Sequence, residues 1–153
     1  MSKKNLLLGD IDSQTLNQNR QETIKLYKKK YDLDVTLADF LDPESCDKII
    51  ADCYKKAAEI KGEDFPFVSE LAKRVRELYL INIGKEQKYF FYDGSQQTGA
   101  VRLELPICFE IISINTLKDL EHEFIVASRD QRSGFYVEIT QYTYRLTVWG
   151  EFR

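Results

Sequence analysis

The sequence predicts an α+β protein: three N-terminal helices, then an antiparallel sheet of about five strands with the helices packed on one face. Three observations carry this. Apolar residues recur at three- and four-residue spacing, between recognisable helix caps, through the first half of the chain. From about residue 86 the pattern changes to short β-branched and aromatic runs separated by turn residues. The last twenty residues, GFYVEITQYTYRLTVWGEFR, read as strand almost throughout. Helices first and consecutive strands afterwards is the order of an α+β fold. At 153 residues one domain is expected over residues 1–153, its helical part at about 12–83 and its sheet part at about 86–153.

A domain of this length buries roughly 68–70% of its unfolded surface and needs no staples. Hydrophobic residues make up 43% and charged residues 31%, the balance of an ordered globular chain. No apolar run approaches the roughly 20 residues of a membrane helix. The start, MSKKNLLLGD, has too short an apolar run for a signal peptide, and no small-residue cleavage site follows. A cytoplasmic location is expected. Cys46, Cys53 and Cys108 are an odd set without CxxC spacing, expected as free, buried thiols. Only one histidine is present to complete a zinc tetrahedron, so no metal or cofactor is expected.

The first helix is predicted from a cap at Asp12 or Ser13 to about Tyr31, with a thin apolar stripe of Leu16, Ile24, Tyr27 and Tyr31. Residues 32–42 form a connector anchored by Leu33, Val35, Leu37, Phe40 and Leu41, with a short turn capped by Thr36. The second helix has the strongest signal. Asp42 caps it, Pro43 takes its first position, and Cys46, Ile49, Ile50, Cys53, Ala57 and Ile60 repeat at three and four until Gly62. Asp64 and Pro66 are expected to start a third helix whose inner stripe is Phe67, Leu71, Val75 and Leu78.

Residues 88–92 (KYFFY) are predicted as the first strand, turned by Asp93 and Gly94. Residues 100–105 are the second, Pro106 interrupts, and residues 107–114 are a third strand covered on both faces. Residues 116–122 are a polar crossover, 124–128 a fourth strand and 129–133 a hairpin loop. In the final segment Phe135, Val137 and Ile139 share one face. The apolar phase then slips to Tyr142, Tyr144, Leu146 and Val148. Without Gly, Asn or Asp to mark a turn, one long bent strand with a bulge near Thr140 and Gln141 is expected rather than a hairpin.

Most chemistry finds no support. His122 lies between Glu121 and Glu123 in a segment that reads as surface crossover. Glu86 and Lys88 have the Glu-x-Lys spacing of metal-dependent nucleases, with Asp64 or Asp93 as a second ligand, but the spacing is common and both aspartates have competing uses. No serine sits in a G-x-S-x-G setting, and Gly94 and Gly99 make no phosphate loop. The basic groups Lys28–Lys30 and Lys73, Arg74 and Arg76 read as solvated helix faces. A net charge of −3 without a broad basic face makes nucleic acid a poor partner.

Recognition surface remains. Asp32, Asp34, Asp39, Asp42, Glu44 and Asp47 form a run of six acids with no Lys or Arg among them, which would draw in a basic partner. Three of them suit the start of the second helix; Asp32, Asp34 and Asp39 are left over. Tyr136, Tyr142 and Tyr144, with Trp149, supply aromatic residues of the kind that anchor interfaces.

In general character the chain resembles the small cytoplasmic immunity proteins that bacteria make against toxins delivered by their neighbours: acidic, α+β and without catalytic signatures. That resemblance implies a non-enzyme whose partner is a basic toxin domain, such as a nuclease, bound through the acids and tyrosines above. Two other readings are open: a cone-shaped α+β fold enclosing a small molecule, and the metal-dependent nuclease built on Glu86.

Overall fold

The computed structural model describes residues 11–82, 88–93, 98–111 and 123–150. The fold is α+β, with N-terminal helices followed by an antiparallel sheet against which helices pack.

Helix α1 (Ser13–Tyr31) starts where the Asp12 carboxylate accepts a hydrogen bond from the Thr15 N–H at 2.8 Å. It ends at Asp32, which takes a left-handed conformation (φ 51°). Thr36 opens a single 3₁₀ turn (Leu37–Asp39) as a capping box with Asp39. Helix α2 (Pro43–Ala58) is capped by Asp42, which accepts from the Ser45 N–H at 3.0 Å, and buries Cys46, Ile50 and Cys53. All of this follows the sequence expectation, because side-chain caps act locally.

The structure then departs from it. Residues Glu63–Phe65 form a short strand, β1, and helix α3 (Val68–Asn82) begins beyond it. Asp64 is therefore a strand residue and not a helix cap. Strands β2 (Lys88–Asp93) and β3 (Val101–Glu104) follow as expected. Residues Leu105–Ile111 are a helix, α4, with Pro106 in its first turn, where proline needs no N–H partner; they are not the expected third strand. Strands β4 (Phe124–Ala127), β5 (Gly134–Ile139) and β6 (Tyr144–Trp149) complete the order. The last segment is a hairpin and not one bulged strand: β5 pairs with β6 from Gly134 with Trp149 to Ile139 with Tyr144. The phase slip at Thr140 is the turn.

Among the described residues six strands form one antiparallel sheet, in the order β1-β6-β5-β4-β2-β3. It is packed on both faces, not one. On the first face Tyr89, Phe91, Val101, Phe124, Val126, Phe135, Val137 and Leu146 meet Leu71, Val75 and Leu78 of α3 and Cys108 and Phe109 of α4. On the second, Phe90, Ile125, Ala127, Tyr136 and Trp149 meet Leu16 of α1 and Cys46, Ile50 and Cys53 of α2. The physical reason lies in β2 and β4. Their runs YFFY and FIVA are apolar at every position, which only a doubly covered strand tolerates.

The two sheet edges are treated differently. At β3, Phe40 forms a bridge to Val101 and the Leu41 N–H donates to Ala100 O at 3.1 Å, so the connector covers that edge. Arg20 holds the arrangement: its guanidinium donates to the carbonyls of Thr98 and Leu41 and lies 5.1 Å from the Phe40 ring centroid. At the opposite edge lies β1.

Candidate functional site

The six acids of residues 32–47 sit with the connector along the β3 edge, and most are engaged locally. The carboxylates of Asp32 and Asp34 lie 2.9 and 3.1 Å from the same Lys28 ammonium. Hydrogen bonds to both raise the Lys28 pKa, and Lys28 in turn lowers that of Asp32. Asp39 accepts from the Thr36 N–H at 2.9 Å, and Asp42 is the α2 cap. The side chain and backbone of Ser45 hold the Asp42 carboxyl below its ordinary value. Glu44 is exposed in the first turn of α2 and Asp47 is half-buried on that helix.

The three tyrosines have three different fates. Tyr136, expected at the surface, is interior at 8% exposure. Its hydroxyl donates to a Glu123 carboxylate oxygen at 2.8 Å, and its ring meets Tyr54 edge-on at 5.2 Å between centroids. Burial, and then the Glu123 carboxylate, push its pKa far up. Tyr136 faces the second core because it alternates with Phe135 and Val137, and α2 covers that face. Tyr144 is half-buried opposite Phe65 of β1. Tyr142 stands at the hairpin tip, 82% exposed.

The tip is built by two threonines. The Thr140 N–H donates to Thr143 O at 2.9 Å, and the Thr143 N–H donates to Thr140 Oγ1 at 2.9 Å. Thr140 Oγ1 lies 2.8 Å from Thr143 O and 2.7 Å from Thr143 Oγ1. A hydroxyl has one proton and two acceptor sites. One assignment fills all three: Thr140 donates to the Thr143 carbonyl, and accepts from both the N–H and the hydroxyl of Thr143. Side-chain hydrogen bonds thus do what Gly or Asn does in a commoner turn. Tyr142 is carried on this fixed loop.

β1 lies beside the tip, joined to it through Asp64. The Arg145 guanidinium is 2.8 Å from Asp64 and 3.9 Å from Glu138, and Thr143 Oγ1 is 3.4 Å from Asp64. Arg74 is likewise shared, 3.1 Å from Glu63 and 3.6 Å from Glu77. The four carboxylates and two guanidiniums form two sets, Arg74 with Glu63 and Glu77, and Arg145 with Asp64 and Glu138. Arg145 lowers the Asp64 pKa and has its own raised by Asp64. The β1–β6 pairing ends with Phe65 opposite Tyr144, two residues before Phe67 and two after Tyr142. Phe67 precedes α3 and is 64% exposed; it does not belong to that helix's inner stripe.

The acids at β3 and the tyrosine tip at β6 do not make one surface. β6 and β3 are separated by β5, β4 and β2, four strand spacings or about 19 Å. The two edges also face outward in opposite directions. Sequence reasoning missed Phe67, Glu63, Glu77 and Glu138 as members of a site and offered Asp64 only as a metal ligand. A three-residue strand has no readable alternation, and nothing local signals that β1 pairs with the last strand.

Other chemistry has little footing among the described residues. No group of three His, Cys, Asp or Glu side chains is placed there to hold a metal ion. Asp64 is held by Arg145, while Glu86 and His122 lie outside the described residues. The three cysteines are free and buried, as expected; Cys108 is on α4 and not in a strand. Burial pushes the Cys46 thiol up to about 11 and Cys53 to about 12, far from nucleophilic. No described helix is long and apolar enough to cross a membrane.

No protein-family model, curated protein or solved structure matches the chain. The functional reading therefore rests on the geometry alone.

Proposed function

We propose that this chain is a non-catalytic protein-binding module that engages its partner at the β1 edge of the sheet. One observation carries the reading. Phe67 and Tyr142, the two most exposed large apolar side chains among the described residues, each lie two residues beyond the last β1–β6 pair, Phe65 with Tyr144, and Tyr142 is held on a hydrogen-bonded tip. Rigid, exposed aromatics are what interfaces use as anchors, since little entropy is lost on docking. The net charge of −3 favours a basic partner. A basic toxin domain neutralised by direct binding, as by an immunity protein, fits that chemistry.

Two observations favour this over the other readings. Both sheet faces are filled by packed side chains, Phe91, Phe124 and Phe135 among them at no more than 1% exposure, where a cone-shaped fold would line a ligand chamber. The aspartate offered to a metal in the nuclease reading, Asp64, is already paired with Arg145. The test is a pull-down with the tagged chain from its native cells, at low and then high salt. One dominant basic partner, released as salt rises, is the expected result. Recovery of no specific partner at low salt would overturn the proposal.

A further inference from the structure

We draw no further inference here: the strongest candidate, the exposed apolar patch of Leu80 and Ile81 at the end of helix α3, carries nothing because nothing in the structure shows what covers it.

Discussion

Replacing Thr140 by valine keeps the shape of the β5–β6 turn and removes its hydrogen-bonding centre. The Thr143 N–H loses its acceptor at 2.9 Å, and the Thr143 hydroxyl loses its nearest partner at 2.7 Å. The Thr143 carbonyl loses one donor but keeps the Thr140 N–H. A hydrogen bond contributes about 0.5–1.5 kcal/mol net, and these groups are only partly buried, so water recovers some of the loss. The expected cost is about 1–2 kcal/mol, a sizeable share of a typical stability of about 5–15 kcal/mol. Thr140→Ser keeps the hydroxyl and should cost about 0.5 kcal/mol or less. Urea unfolding measures both, and an unchanged m-value would show that the native state alone is affected. If Thr140→Val costs no more than Thr140→Ser, the hydroxyl does not hold the turn. The account of why a hairpin forms here without glycine then fails.

Three other outcomes are expected. Arg20→Ala removes charge-assisted bonds to the Thr98 and Leu41 carbonyls and the contact with Phe40; discounted for partial exposure it should cost about 2–3 kcal/mol by urea unfolding, and a cost near zero would mean that water replaces the guanidinium. Asp12, Asp42 and Asp64 all have folded-state pKa values depressed below 3.8, so each contributes stability that is present above that value and lost as pH falls through the folded value. Thermal melts should therefore drop on acidification below about pH 4, and a melting temperature that stays level there would contradict this. The cysteines should resist a thiol reagent in the native protein at about pH 8 and react together on unfolding; rapid labelling of one in the folded state would show that its burial is misplaced.

What the sequence made legible was what short-range chemistry decides. Asp12, Thr36 and Asp42 mark their caps because each acts on residues three positions away. The hairpin was hidden because Thr140 and Thr143 perform a turn by side-chain bonding, where Gly, Asn or Asp would have announced it. Helix α4 was hidden because LPICFEI is rich in strand-forming residues and short; contact with β2, β3 and α3 decides its state. Pro106 read as a strand breaker when it was a helix start. The second covered face was missed, since the helices were expected on one face; the lack of alternation in KYFFY and FIVA was its signal.

The candidate site was half legible for the same reason. Tyr142 was named among the aromatics of the last segment, but its exposure, and the burial of Tyr136 two strand positions from Glu138, depend on where α2 packs. Phe67 followed a helical period into α3 on paper and lies outside it in the fold. The acidic run and the tyrosines were expected to act together, and only the strand order places them on opposite edges.

The central claim is that recognition belongs to the β1 edge. Its most direct test is the affinity of the cell-derived partner for wild type, for Phe67→Ser/Tyr142→Ala and for Asp34→Lys/Asp39→Lys, measured side by side by titration calorimetry. The account predicts loss of about tenfold or more in the first double variant and wild-type affinity in the second. Full affinity in the first with loss in the second would contradict it and move the partner to the β3 edge.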